Sequence, residues 1–138
     1  SLESIDISRT RITNKGLASL APLTRLKGLA AAGTRISNTG LKQACSLPAL
    51  EILWINNTMV TDTGLVALAD AKRLRELDLS GCRITDNGLK HIANVRGLQR
   101  LVLDRTQVTP KGIQLLRSAL PECDIQYTAP AAIRKTPK

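Results

Sequence analysis

The chain has 138 residues, of which 43% are hydrophobic, and it carries a formal net charge of +9 with one tryptophan, one tyrosine and no phenylalanine. This length and composition fit a single domain with a core of stacked aliphatic side chains. No stretch approaches the roughly 18 apolar residues of a membrane span, so the sequence predicts none. The scarcity of aromatic side chains leaves few platforms for stacking bases, which argues against a nucleic-acid partner.

A phrase of the form Leu-x-x-Leu-x-Leu-x-x-Thr-x-Ile-Thr-x-x-Gly-Leu recurs every 24 residues. The repeats begin at Leu2, Leu26, Leu50, Leu74 and Leu98. Apolar residues at the fourth and sixth positions stand two apart, which predicts a short strand at the start of each repeat. From the sixteenth position the apolar spacing becomes helical, as in Leu65 and Leu68. Strands that recur in one sense with a crossover helix between them must be parallel, so the fold class is α/β, a right-handed coil.

The helix starts follow from Pro110, because proline favours the first helical position. The preceding threonine and its equivalents are the predicted N-caps, whose hydroxyls accept free amide protons. These N-caps are Thr13, Ser37, Thr61, Thr85 and Thr109. The glycine at the fifteenth position of every repeat is predicted to allow a close approach to the sheet layer.

Polar residues follow each predicted strand at the ninth position and are expected to form an internal ladder to the backbone. They are Thr10, Thr34, Thr58, Cys82 and Thr106. The other cysteines are Cys45 and Cys123. Their odd number and scattered registers argue against a disulfide framework and favour a reducing, cytoplasmic compartment.

The segment Leu74-Arg-Glu-Leu77-Asp-Leu79 resembles the L-x-x-L-x-L pattern of leucine-rich repeats. The segments from Cys82 to Leu89 and from Thr58 to Leu65 are similar to the cysteine-containing subtype, and more similar still to bacterial, planctomycete-like repeats with threonine in place of that cysteine. The resemblance implies a curved solenoid with its parallel sheet on the concave face and its helices on the convex face. It also implies a surface that binds proteins or other ligands.

The predicted domain organisation is a solenoid over residues 1–128 and a basic disordered tail over residues 129–138. Alternation of Cys123, Ile125 and Tyr127 with polar residues predicts a short closing strand after the fifth repeat. The first repeat begins with an ordinary strand and no cap, which predicts either a longer solenoid upstream or pairing of this N-terminal edge with another copy.

Side chains at the third, fifth and seventh positions of each repeat are predicted to point away from the core. Trp54 lies among them on the central repeat, where an exposed aromatic with a polar rim is typical of an interface hot spot. The predicted partner-binding residues are Ile52, Trp54, Asn56, Asp78, Val102 and Asp104. The alternative is that Trp54 covers the small residues Gly28 and Ala30 as local packing.

A second candidate surface is cationic. Arginines at the tenth position and two places earlier are expected to lie along one edge of the stacked repeats, where they suit phosphates, sulfates or an acidic protein. They are Arg11, Arg35, Arg83, Arg9 and Arg105. A plain solvated basic edge is the alternative.

Neither a catalytic residue, a metal site nor a cofactor is predicted. His91, the only histidine, lies on a predicted helix away from any cysteine, and every glycine in a candidate loop belongs to the repeat. The sequence therefore predicts a non-catalytic module that recognises a protein on its concave face. Binding of an anionic polymer or surface, and a structural C-terminal fragment of a longer repeat protein, are the alternatives.

Overall fold

The computed structural model describes residues 2–129. Six strands of three residues form one open sheet, in which each strand pairs in parallel with the next along the chain. The strands are β1 (Ser4–Asp6), β2 (Gly28–Ala30), β3 (Ile52–Trp54), β4 (Glu76–Asp78), β5 (Arg100–Val102) and β6 (Asp124–Gln126). The predicted α/β fold with a parallel sheet is thereby confirmed. The predicted tail lies outside the described residues apart from Ala129.

The 24-residue period sets the register of the sheet. Leu29 pairs with Leu53, and Leu53 in turn pairs with Leu77. These central strand residues are buried and face the helical layer. Ile55 and Leu79, which lie two places after Leu53 and Leu77, are also buried. Equivalent side chains therefore stack in continuous rows, which is how a repeat too small for its own core buries its apolar face.

The second layer is less uniform than the sequence predicts. It contains the α-helices α1 (Asn14–Ala18), α2 (Asn38–Cys45), α3 (Leu89–Ala93) and α4 (Pro110–Ala119), and the 3-10 helices Asp62–Asp70 and Asp86–Gly88. The third repeat therefore has a 3-10 helix where the spacing predicts an α-helix. Its segment contains Gly64 and the β-branched Val66, both weak α-helix formers. Among residues 2–129 no helix is long and apolar enough to cross a membrane.

The predicted N-caps are confirmed in position, but only two of them cap in the predicted way. Thr85 accepts a hydrogen bond from the amide of Asn87, and Thr109 accepts one from the amide of Gly112. The side chains of Thr13, Ser37 and Thr61 make no such bond.

The structure instead shows bonds that join the N-cap of one repeat to the first helical residue of the repeat before it. In the second to fifth repeats the amide of the N-cap residue donates to a side-chain oxygen of that Asn or Asp, and a second bond links the N-cap hydroxyl to the same side chain. We call this row the N-cap ladder. Its pairs are Asn14 with Ser37, Asn38 with Thr61, Asp62 with Thr85, and Asp86 with Thr109.

The ladder corrects the prediction for the glycines. In four repeats a Cβ at the glycine would come within 3.0 Å of the ladder Asn or Asp of the preceding repeat, as Gly64 would with Asn38. The missing Cβ therefore makes room for the ladder and not for an approach to the sheet. Gly16, in the first repeat, would instead meet the side chain of Ile12.

The ninth-position residues form the expected internal bonds. The hydroxyls of Thr34, Thr58 and Thr106 are buried and donate to the carbonyl three residues earlier. Cys82 departs from the row, since its thiol contacts the carbonyl of Ile55 in the neighbouring repeat at 3.3 Å.

The ladder leads to a first prediction. Asp62→Ala removes both acceptors of Thr85, and we expect the free energy of unfolding to fall by about 1–3 kcal/mol, because the Thr85 amide loses its partner. Urea denaturation measures this change. Asp70→Ala, at an exposed position of the same 3-10 helix, is the control and should cost little. Asp62→Asn should retain most of the stability, because Asn14 and Asn38 serve this role in earlier repeats; an equal loss in both Asp62 variants would contradict the ladder.

A second prediction concerns Gly64→Ala. Alanine in place of glycine usually stabilises a helix by up to about 1 kcal/mol. Here we expect a loss of about 1–3 kcal/mol, because the new methyl group would overlap the Asn38 side chain. Gly97→Ala is the matched control, since its methyl group would meet only the Leu74 carbonyl oxygen at 3.8 Å. Stabilisation by Gly64→Ala would refute the steric role, as would an undiminished loss from Gly64→Ala in a chain that already carries Asn38→Ala.

Candidate functional site

The outward side of the sheet is the candidate site, and we call it the sheet face. It consists of the first and third residues of each of the six strands. It also includes the residue two places after the end of each of the first five strands. In chain order these residues are Ser4, Asp6 and Ser8; Gly28, Ala30 and Ala32; Ile52, Trp54 and Asn56; Glu76, Asp78 and Ser80; Arg100, Val102 and Asp104; and Asp124 and Gln126.

Trp54 stands near the middle of the sheet face. In the strand register it lies between Ala30 on β2 and Asp78 on β4. Its side chain is 43% exposed, although large hydrophobic residues of this protein are mostly buried. The structure therefore places the only tryptophan of the chain at the surface of the sheet.

Two open depressions flank Trp54. The larger has a volume of about 410 Å³ and is lined by residues of β1, β2 and β3, among them Asp6, Gly28, Ala30 and Ile52. It exists because Gly28 and Ala30 carry almost no side chain. Trp54 forms one wall of this depression and does not fill it, so packing over the two small residues does not account for the whole side chain.

The smaller depression lies on the other side of Trp54. Its volume is about 170 Å³, and its remaining wall is formed by residues of β4 and β5, among them Glu76, Asp78, Arg100 and Val102. The two depressions differ in chemistry, because small and apolar residues dominate the first while three charged residues line the second. Trp54 thus separates an apolar groove from a charged one.

The other predicted partner-binding residues are not equally available. Ile52, Asn56 and Asp78 are partly exposed on the sheet face, as expected, but Val102 is only 9% exposed. The Oδ2 atom of Asp104 accepts a hydrogen bond from the Gln126 side chain at 2.8 Å, and its Oδ1 atom is buried without a partner among residues 2–129. Val102 and Asp104 therefore offer less contact surface than the sequence predicts.

Two aspartates on the sheet face are held by the residue two places later. Asp78 Oδ1 accepts from the amide of Ser80 at 2.9 Å and from its hydroxyl at 2.6 Å. Asp6 accepts from the amide of Ser8 at 2.9 Å. This backbone bond, with a further contribution from the Ser8 hydroxyl, lowers the pKa of Asp6 from its usual value. Hydrogen bonding to the charged form thus fixes the carboxylate orientation and favours its ionised state.

The charge of the sheet face is opposite to that of the chain. Five of its side chains are acidic and one is basic, a formal charge of −4, whereas the chain as a whole carries +9. The acidic residues are Asp6, Glu76, Asp78, Asp104 and Asp124, and the basic one is Arg100. Sequence reasoning missed this separation, although the alternation of inward and outward positions along each strand carried the signal.

The arginine edge consists of the five arginines predicted to bind anions, Arg9, Arg11, Arg35, Arg83 and Arg105, and all five are exposed. None of them forms a salt bridge within residues 2–129, where the ion pairs that do form involve Lys27, Arg75 and Arg100. Exposed Met59 and Gln107 interrupt the row in the third and fifth repeats.

Two members of the arginine edge have an unusual backbone. Arg9 and Arg105 have φ values of 60° and 55°, at the position where Gly33 and Gly81 stand in other repeats. Asn57 has a φ of 58° at the same position of the third repeat, so the left-handed conformation belongs to the turn after the strand in all five repeats and is not particular to the arginines.

The three cysteines are not activated nucleophiles. Cys45 is fully buried, and desolvation raises its pKa to about 12. Burial also raises the pKa of Cys82 and of Cys123, so each thiol is neutral at physiological pH. Among residues 2–129 no group of three or more His, Cys, Asp and Glu side chains is arranged to hold a metal ion.

Comparison with known proteins agrees with the repeat geometry. A protein-family model described as a leucine-rich repeat matches residues 1–21 and 73–93. The fold is similar to an internalin from Listeria monocytogenes, with a TM-score of 0.74 and 23% identity over 94% of this chain and 35% of the internalin. It is also similar to internalin C2 from the same organism, with a TM-score of 0.75 and 25% identity over 93% of this chain and 52% of that protein.

The repeats of this chain are similar to leucine-rich repeats. A leucine-rich-repeat protein from Leptospira interrogans is a further structural neighbour, with a TM-score of 0.59 and 25% identity over 91% of this chain and 30% of its own length. The chain thus spans about a third to a half of the proteins it resembles. No curated protein matches its sequence. Stacked repeats of this kind typically present an extended binding surface.

Proposed function

We propose that this leucine-rich-repeat chain is a non-catalytic recognition module that binds a protein partner on its sheet face, with Trp54 as the anchor. The observation that carries the proposal is the position of Trp54, which is 43% exposed between two open depressions at the middle of the face. A folded protein that leaves its only tryptophan in this position has a large apolar contact available to a partner.

The surroundings of Trp54 suit an interface hot spot. Binding energy in protein interfaces concentrates in a few aromatic or arginine side chains near the centre, surrounded by polar contacts that exclude water. Ile52 adds apolar surface beside Trp54, and the partly exposed Asn56 and Asp78 provide the polar surroundings. The short strands and their regular hydrogen bonds hold these positions rigidly, so little ordering entropy is lost on binding.

A second candidate function is binding of an anionic polymer or surface along the arginine edge. It is supported by five exposed arginines that form no salt bridge within the described residues. Guanidinium groups suit bidentate contacts to phosphate or sulfate. Arginines that serve only solubility would be exposed in the same way. An experiment must therefore distinguish anion binding from solubility.

The third prediction tests the anchor. We expect Trp54→Ala to weaken capture of a protein partner from source-cell lysate by about 30-fold in affinity, because hot-spot truncations cost about 2 kcal/mol or more. Quantitative mass spectrometry of proteins retained on the immobilised chain measures this loss. Leu115→Ala is the matched control, since Leu115 is 65% exposed but lies on α4 and not on the sheet face. Equal capture by wild type and Trp54→Ala would contradict the proposal.

The fourth prediction separates the two candidate functions by charge. If the arginine edge binds the partner, substitution of Arg11, Arg35 and Arg83 by glutamate should abolish capture, and high salt should do the same to wild type. If Trp54 is the anchor, the triple variant should retain capture and high salt should weaken it far less than Trp54→Ala does. Loss of capture in the triple variant with a silent Trp54→Ala would assign function to the arginine edge.

A further inference from the structure

We infer that the partner segment on the sheet face is an extended, cationic stretch of polypeptide, with an apolar side chain in the groove beside Ala30 and an arginine or lysine against Trp54 and Asp78. This inference rests on the proposed function and specifies the chemistry of the partner. It follows from the distribution of charge and from the different walls of the two depressions.

The charge distribution gives the first argument. The sheet face contains five of the eleven acidic residues of the chain but only one of the seventeen basic residues found between residues 2 and 129. Within that range the arginine edge and the other basic residues lie off the sheet face, so the rest of the described molecule repels a cationic ligand. A cationic segment is therefore attracted to this face, whereas an acidic one would be repelled from it.

The surroundings of Asp78 also suit a cation. Its Oδ1 atom is held by the amide and the hydroxyl of Ser80, which fixes the carboxylate on the sheet. Trp54 is its direct neighbour on β3. Neighbouring strands lie about 5 Å apart, so one cation can contact the carboxylate and the indole face together.

The one basic residue on the face does not satisfy this site. Arg100 lies two strands from Trp54 and approaches Glu76 at 4.0 Å, a long and partly exposed ion pair. Such a pair contributes little and exchanges readily with solvent. Asp78 forms no salt bridge within residues 2–129, so its negative charge remains available to a ligand.

The spacing of the two depressions fits an extended peptide. Ala30 and Asp78 stand on either side of Trp54, one strand away each, so they are about 10 Å apart across the sheet. In an extended peptide, side chains two residues apart face the same way at about 7 Å, and the length of an arginine covers the difference. A peptide with a small apolar residue two positions away from an arginine can therefore place one of these side chains on each side of Trp54.

The experiment starts with a displayed library of random twelve-residue peptides, selected on the full chain. Sequences that also bind Trp54→Ala are removed. We expect the remaining sequences to be enriched in arginine or lysine, with an apolar residue two positions away. Trp54-dependent sequences that are neutral or acidic would overturn the inference and leave the proposed function standing.

A second measurement uses an enriched peptide with a fluorescent label and follows its anisotropy. We expect Asp78→Asn to weaken binding about fivefold or more, and high salt to weaken it further. Asp70→Asn, which removes an equal charge from the exposed end of the 3-10 helix Asp62–Asp70, should leave affinity within twofold, as expected for a distant screened charge. Equal effects of the two variants would show that net charge alone acts and would overturn the inference.

Failure of the inference is distinguishable from failure of the proposed function. If the inference is correct, an extended segment suffices for binding. A library that yields no Trp54-dependent peptide therefore overturns the inference. The proposed function still stands if Trp54→Ala reduces lysate capture and Asp78→Asn does not. If neither variant alters capture, both fail together.

Discussion

The structure depends on the stacking of equivalent residues 24 positions apart. A row of aliphatic side chains fills the core, buried threonines in three repeats bond to backbone carbonyls after their strands, and the N-cap ladder joins the helix starts of the second to fifth repeats to the preceding repeat. Because each row joins neighbouring repeats, a change at one position is felt by the next repeat as well. The outward-facing side chains of the strands are not needed to fill the core. That freedom is what allows one face of the sheet to hold an exposed tryptophan and an excess of carboxylates.

The strands, their parallel order and the helix starts could be predicted from local periodicity and from Pro110, because these features depend on residues within one repeat. The role of the glycines could not. The atom that excludes a Cβ at Gly64 belongs to Asn38, which lies in the preceding repeat. Local patterns do not reveal contacts between side chains of different repeats. The 3-10 geometry of Asp62–Asp70 was missed for a related reason, since apolar spacing does not separate it from an α-helix.

The positions of the candidate site residues could be predicted from the sequence, but the exposure of each side chain could not. Register alone placed Trp54 beside Ala30 and Asp78, because parallel strands with a fixed period have only one pairing. The burial of Val102 and the engagement of Asp104 by Gln126 depend on neighbouring side chains in three dimensions. The negative charge of the sheet face emerges only when outward positions of all strands are counted together. The total charge of +9 conceals it.

The central claim is that Trp54 contacts the partner. Because the chain has a single tryptophan, labelling with 5-fluorotryptophan yields one fluorine resonance that reports on this position alone. The account predicts that the resonance shifts or broadens when the captured partner or an enriched peptide is added, with the same concentration dependence as binding. An unchanged resonance at saturating partner would contradict the account, since binding would then occur away from the sheet face.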